Sequence, residues 1–454
     1  MRHMSPQLPL LTQWIAHPHC VELAAMSALL AEQPVLAALI QQDLEAGCPR
    51  NARTGRPGLT GEQVLRILVV RQLTGWTYAE LAFHLADSAT YRAFCRIGAL
   101  ATPPSKSALA AAVDRVRPAT LATLNDLLVT SPAARRLEPA RTVRMDATVV
   151  PSAIHPPTDS NLRWDSVRML HRLVERAEAA AGFTAYHDHR KRVKRRAMEI
   201  AHLAPNAVAR RQACYRELLD LTGATVTYAT CALAHVECLP PASLAAPQRD
   251  VRDALRSLVP LVAQVMAHTE RRVFQGETVP ADEELVSLVE AHAAVIVKDR
   301  RDTYYGHKVY LSTGRSGLIL DCAIPHGNPA DSTWTLPLLR RHGDLFGVPP
   351  RQASLDGAFA SVDNLRGAKA LGVADVCFAK RRGLAVLDMV KSEWVYDKLR
   401  RFRAGIESGI SFLKRVCGLA RCVWKGAAGF HAYVRTAVLA ANLLVLARHR
   451  LSTS

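Results

Sequence analysis

Strand texture occurs in two places in this chain, parted by more than a hundred residues that carry almost none. At 142–150 the run Thr-Val-Arg-Met-Asp-Ala-Thr-Val-Val is β-branched and reads as a buried strand bearing one acid, Asp146. Pro151, Pro156 and Pro157 follow, and then a long helical region, about 164–296. Strand texture returns over 306–324, which reads as a hairpin turning at 314–317. A sheet whose first strand is separated from the rest by a helical block is a mixed α/β core with a large insertion.

The remaining elements extend that sheet. A helix is expected over 332–342, then Arg351-Gln-Ala-Ser-Leu-Asp356, a strand ending on an acid and followed by Gly357. A helix over 362–371, a short strand over 374–379 and a helix carrying Glu407 complete the order. Upstream, Thr60 with Gln63 and Thr77 with Glu80 fit the capping-box pattern, with a turn at Thr74-Gly75-Trp76 between them. Pro103-Pro-Ser-Lys-Ser107 opens another helix, through about Arg117, closed by Pro118. These short helices read either as a plain helical bundle or as a helix-turn-helix, with Lys106 in the first turn of its last helix suited to a DNA backbone. Arg53-Thr-Gly-Arg-Pro-Gly58 reads as a basic linker turn, with a minor-groove arm as the alternative.

The expected class is therefore multidomain α+β. Residues 1–130 form an N-terminal helical domain, 140–163 with 297–430 the α/β core, 164–296 a basic helical insertion, and 431–454 a C-terminal helix.

Charge limits the partners. Lys and Arg number 58 against 40 Asp and Glu, a formal +18 over 454 residues, which suits a ligand carrying many phosphates. The densest basic run, within 187–196, contains Arg190, Lys191, Arg192, Lys194, Arg195 and Arg196. As a helix face it needs no function; beside a phosphodiester it is a backbone clamp, the reading the net charge favours. The ten cysteines lack paired C-x-x-C spacing and read as free thiols of a reducing, cytoplasmic compartment. Cys231, His235 and Cys238 lack a second ligand pair nearby, so small buried side chains are preferred to a zinc site. The apolar run 437–447 contains Asn442 and is shorter than the ~20 residues of a membrane span, so no membrane is expected.

Arg403, Glu407 and Lys414 fall within about 40° of each other on a helix at ~100° per residue. Phe402, Ile406, Ile410, Leu413 and Cys417 form an apolar stripe beside them, which would hold Glu407 at the edge of the core. Gly405 and Gly409 each disfavour the helix by about 1 kcal/mol and point to close packing or the approach of DNA. Asp146, Asp356 and Glu407 are the carboxylates a pair of hard divalent cations would need for phosphodiester hydrolysis. Asp321 and Asp331 are rivals for the second place; Asp321 lies inside an apolar strand and Asp331 in a loop, whereas Asp356 meets Gly357 at a strand end. His307 and Lys308 read as strand-face residues.

Taken together, Met-Asp146-Ala-Thr-Val-Val, Leu-Asp356-Gly-Ala-Phe-Ala-Ser and Arg403-x3-Glu407-x6-Lys414 resemble the Asp-Asp-Glu signature of bacterial insertion-sequence transposases of the IS4/IS5/IS1182 kind. The block from Arg56 to Arg66, Pro157-Thr-Asp-Ser160 and Tyr305-Gly-His-Lys308 are also similar to stretches of such proteins. The resemblance implies a ribonuclease-H-like core in which Asp146, Asp356 and Glu407 are catalytic and hold two Mg²⁺ ions, with Mn²⁺ as a substitute. It implies nicking of transposon ends and joining of the 3′-hydroxyl to target DNA, with Arg403 and Lys414 on the phosphate backbone. The implied partners are double-stranded DNA, both terminal inverted repeats and target, and a second copy of the chain in a synaptic homodimer; the implied location is the bacterial cytoplasm, at the nucleoid. A DNA-binding protein that recognises transposon ends without cutting, and a nuclease of the same fold without strand transfer, are the alternatives. The family pattern carries a tyrosine three residues before the arginine, where this chain has Arg400; Tyr396 and Phe402 are nearby but in different places, and Trp424 is another aromatic that could replace it.

Overall fold

The computed structural model describes residues 17–46, 58–240, 244–298 and 302–453. The chain divides into two compact units, one built from 1–151 and 308–454, the other from 152–307. Arg53 to Pro57 lie outside the described residues.

The first unit begins with helices whose ends follow local chemistry. Thr60 and Thr77 each close a full capping box, with Gln63 and Glu80 respectively. The helix Gly61–Thr74 stops at Gly75, whose φ of 70° is the left-handed conformation glycine adopts without penalty. Ser105 caps a helix Lys106–Val113, shorter than the sequence implies. Pro118 does not close that helix. It opens the next, Pro118–Thr130, at the first-turn position where a missing N–H costs nothing.

Six strands follow: β1 Thr142–Pro151, β2 Ala294–Lys298, β3 Asp302–Thr313, β4 Ile319–Ala323, β5 Gln352–Leu355 and β6 Asp375–Phe378. In the first unit the order is β4-β3-β1-β5-β6. The hairpin β3–β4 is antiparallel, as its turn predicts, and β1, β5 and β6 are mutually parallel. Helices Thr335–Phe346, Val362–Ala370, Val386–Met389 and Glu393–Val416 connect or cover these strands. The helix Gly426–Thr453 is long and apolar enough to cross a membrane, yet 83% of its apolar window is buried within the fold. Its Asn442 side chain accepts from Ile319 N–H at 2.8 Å and donates to Ile319 C=O at 2.9 Å. That pair of bonds makes a polar residue tolerable at zero exposure and ties the helix to the first residue of β4. One apolar cluster runs continuously from the N-terminal helices (Leu65, Leu68, Leu121) through the sheet (Val143, Leu355, Phe378) to Leu443.

The second unit contains the helices Asp159–Ala181, Arg190–His202, Val208–Glu237 and Ala246–Val273; the first, third and fourth pack around Leu170, Ala229, Leu255 and Val262, and Arg190–His202 packs through Val193 and Ile200 against Val167 and Leu218. The helical region ends at Val273 rather than near 296, and β2, whose first three residues lie in the stretch expected to be helical, pairs antiparallel with the first half of β3. Its apolar run Ala293-Ala-Val-Ile-Val297 is too short for periodicity to separate strand from buried helix.

Candidate active site

Side chains alternate along β1. Val143 and Met145 enter the core, while Thr142, Arg144 and Asp146 share the opposite face. Because β1 and β5 are parallel with Met145 opposite Leu355, the next residues, Asp146 and Asp356, emerge side by side. Gly357 must follow Asp356: a Cβ there would lie 2.5 Å from the Lys380 Cβ. The same face carries Ser354, whose hydroxyl donates to Leu399 C=O at 2.9 Å and so seats the helix Glu393–Val416 across the strands. That helix is capped by Ser392, carries Glu393 in its first turn and Lys414 and Arg415 in its last, charges that complement its dipole. Ile406 and Leu413 are buried and Phe402 and Ile410 partly so, as the apolar stripe predicts.

Arg403 stands among the three acids. Its Nη2 donates to Asp146 Oδ2 at 2.8 Å and lies 3.5 Å from Asp356 Oδ1, and its Nη1 lies 3.5 Å from Glu407 Oε1. The structure thus gathers three carboxylates from three separate stretches of chain around one guanidinium. The side chains of Asp146 and Arg403 are 15% and 18% exposed, whereas Glu407 is 69% exposed. Burial pushes the Asp146 carboxyl above its ordinary pKa, against the opposing pull of Arg403 and the Ala147 N–H, and the neighbouring Asp356 pushes it the same way. Two adjacent carboxylates, one buried enough to resist ionisation, make a place that favours a cation. Arg403 Nε is buried with no hydrogen-bond partner among the described residues.

Arg144, which no sequence motif singles out, locks the helix in place. Its Nε donates to Thr313 Oγ1 at 2.9 Å, its Nη1 to Phe402 C=O at 3.0 Å, and its guanidinium lies 4.8 Å from the Phe402 ring centroid. Gly405 makes this possible, since a Cβ there would overlap Arg144 Nη1; Gly409, by contrast, faces open space, so close packing explains only the first of the two glycines. The one sequence signal for Arg144 is its spacing, two residues before Asp146 on the same strand face.

The rival acids have other partners. Asp321 accepts from Arg341 at 2.6 and 2.7 Å, and Asp331 accepts from Lys308 at 2.9 Å and the Tyr310 hydroxyl at 3.0 Å. Lys308 is accordingly a structural cation, and the buried His307 ring stacks on His292 with centroids 4.7 Å apart. No aromatic residue near Arg400 takes up an exposed position at the acids. Tyr396 is in the core with its hydroxyl on Phe378 C=O, Phe402 lies under Arg144, and Trp424 packs against Arg71 and Tyr433.

The basic run divides. Arg190 pairs with Glu175 and Asp188, and Arg192 and Arg196 share Glu217, with Arg196 also on Glu199. Half of the clamp expected from the sequence is therefore neutralised within the second unit, by Glu175 and Glu217 of neighbouring helices and by Asp188 and Glu199 beside and on the basic helix itself. Lys191, Lys194 and Arg195 are exposed and form no ion pair among the described residues. Lys106 is exposed at the first position of its helix, and Lys414 lies on the Glu407 helix, half-buried. Cys231 and Cys238 are exposed free thiols, His235 bonds Ala181 C=O, and no cluster of three metal-ligating His, Cys, Asp or Glu side chains occurs among the described residues.

Residues 11–115 match the family model described as Transposase domain (DUF772), and residues 291–443 match Transposase DDE domain. Together they span more than half of the chain; Asp356 and Glu407 fall inside the second match, and Asp146 lies between the two. No curated protein and no solved structure matches the chain.

Proposed function

The chain belongs to the insertion-sequence DDE transposases, and from that premise we propose that it nicks transposon ends and joins the freed 3′-hydroxyl to target DNA, with Asp146, Asp356 and Glu407 as the catalytic acids. The observation that carries the assignment is the convergence of those three carboxylates on Arg403. The strand order β4-β3-β1-β5-β6, with an antiparallel hairpin on one side and parallel strands on the other, supports a ribonuclease-H-like reading of the core. The short helices Tyr78–Asp87, Ala89–Phe94 and Lys106–Val113 support a helix-turn-helix that presents Lys106 to DNA.

The donor set fits divalent cations: three carboxylates, all hard oxygen donors, two of them adjacent and part-buried. Arg403 provides the counter-charge where a cation would otherwise be needed. Asp146, Asp356 and Glu407 would hold two Mg²⁺ ions, with Mn²⁺ as a substitute, and such a pair supplies activation of the attacking oxygen and stabilisation of the leaving one. Arg403 and Lys414, cations on one face of the same helix, would contact phosphate oxygens of the DNA. The part-buried setting of Asp146 and the packing of Arg144 under the helix hold the acids at fixed separation while DNA enters. Double-stranded ends and target are the substrates, in a synaptic homodimer.

A strand-transfer assay on labelled ends with Mg²⁺ tests this. Wild type should transfer strands, and Asp146→Asn, Asp356→Asn and Glu407→Gln should each abolish transfer while retaining end binding. Normal transfer by all three variants would reject the site.

A further inference from the structure

Five cations surround a cleft of about 400 Å³ in the first unit: Arg141, Arg315, Arg351, Lys391 and Lys398. All five are exposed, and none forms an ion pair among the described residues. Most arginines of the second unit's helices, by contrast, sit on an acid. The acid that lines the cleft, Glu138, is buried and occupied by the N–H groups of Ala140 and Ser316 at 3.1 and 2.9 Å. Glu393 and Asp397 share the helix but do not line the cleft. Unpaired like charges gathered around one concavity focus a positive potential there and concentrate anions.

The cleft also carries Trp394, 65% exposed, the most exposed aromatic of its helix, with Lys398 Nζ 4.8 Å from its ring centroid. An indole this exposed, with a cation on its ring and four more around it, is a platform for an unstacked base. Duplex DNA offers no such face, because its bases are already stacked on one another.

The cleft and the acids lie along the same sheet face and the same covering helix. Thr142 and Gln352 line the cleft, and by alternation they share the sheet face of Asp146 and Asp356, four residues farther along each strand, or about 13 Å at ~3.3 Å per residue. On the covering helix, Lys398 precedes Glu407 by nine residues, again about 13 Å at ~1.5 Å per residue. Both measures place the cleft about four nucleotide steps of ~3.4 Å from the acids.

We propose that this cleft is a second DNA site, which holds an unpaired stretch of the strand being cut, its phosphates on the five cations and one base stacked on Trp394. It rests on the DNA-cutting reading above and adds to it a requirement for local strand opening beside the cut.

The test uses the full chain and fluorescence anisotropy with a short labelled single strand, the matching duplex and inorganic phosphate as competitor. The double charge reversal Arg351→Glu with Lys398→Glu should weaken single-strand binding at least tenfold. It should also make the salt dependence shallower by about 1.4 in log–log slope, ~0.7 for each phosphate no longer neutralised. Trp394→Ala should weaken single-strand binding roughly 5- to 100-fold with little effect on duplex, and Trp394→Phe should retain it. Unchanged single-strand affinity in both variants, equal losses for duplex and single strand, or displacement by phosphate at the same concentration as by oligonucleotide would each overturn the proposal. Cleavage by wild type reads the catalytic assignment separately. Cleavage with an indifferent cleft rejects only the cleft, and a selective cleft without cleavage rejects only the catalytic reading.

Discussion

Arg403 donates to Asp146 at 2.8 Å across 257 residues of chain, and through that bond the first strand of the sheet is joined electrostatically to the helix that completes the acid cluster. The pair places a fixed positive charge among the acids proposed to hold divalent cations. Arg403→Ala should therefore leave Asp146 and Asp356 facing each other without compensation. We expect it to raise the Mg²⁺ concentration dependence of end binding, as the cation becomes the only counter-charge, and to lower strand transfer by roughly 10²-fold or more, the scale for removing a preorganised charge at a reacting centre. Titrations of end binding and of strand-transfer rate against Mg²⁺ check the two parts.

Asp146 also sets a pH dependence. Burial, its largest perturbation, raises its carboxyl pKa above the ordinary 3.8, so between the unfolded and folded values the native state binds the extra proton. The contribution of this group to stability is thus complete below about pH 4 and is lost as pH rises through the folded value. Asp146→Asn should melt higher than wild type at pH 7, and the two should converge on acidification. A lower melting temperature for the variant at neutral pH would show that the bond to Arg403 outweighs burial.

The two glycines of the Glu407 helix make opposite predictions. Gly405→Ala drives a methyl into Arg144, which is fixed by Thr313 and Phe402, and should cost about 1–3 kcal/mol together with a loss of activity as the helix shifts. Gly409→Ala meets open space and should stabilise by up to about 1 kcal/mol through helix propensity. Urea midpoints of both variants decide this.

How far the sequence reveals this arrangement depends on the kind of signal. The acids are legible because each sits at a local signature: Asp146 in a β-branched run, Asp356 before an obligatory glycine, Glu407 on an amphipathic helix. The capping boxes are legible for the same reason, being complete within four residues. Pairings set by tertiary spacing are not. The acid that neutralises both Arg192 and Arg196 is Glu217 on another helix, and nothing within 187–196 announces it. Likewise Arg141, Arg315, Arg351 and Trp394 are scattered over more than 250 residues and become one cleft only when β1 and β5 pair. β2 escapes a sequence reading because five apolar residues are ambiguous in period.

Within the basic helix the exposed cations and the paired ones should separate experimentally. Reversing Lys191, Lys194 and Arg195 should weaken duplex binding and make its salt slope shallower, by ~0.9 for each phosphate no longer neutralised. Reversing Arg192 and Arg196 should instead loosen the packing of Arg190–His202 on Val208–Glu237 by setting two acids against Glu217. An unchanged salt slope in the first variant would make this face solvated surface.

The choice of Asp356 over Asp321 as second catalytic acid yields a crossed pair of outcomes. Asp321 is 5% exposed and accepts two bonds from Arg341 and one from the Cys322 N–H, so its charge is already matched within the fold. Its neutralisation weakens a charge-assisted pair, so Asp321→Asn should cost about 1–3 kcal/mol of stability and leave strand transfer near wild type when assayed well below its melting temperature. Asp356 is 34% exposed and its ion pair to Arg403 is long, at 3.5 Å, so Asp356→Asn removes little that the fold depends on. It should melt within a few degrees of wild type and transfer no strands. If Asp321→Asn were the inactive variant and Asp356→Asn the active one, the second acid would have to be sought on β4 rather than at the end of β5, and the pairing of β1 with β5 would lose its functional meaning.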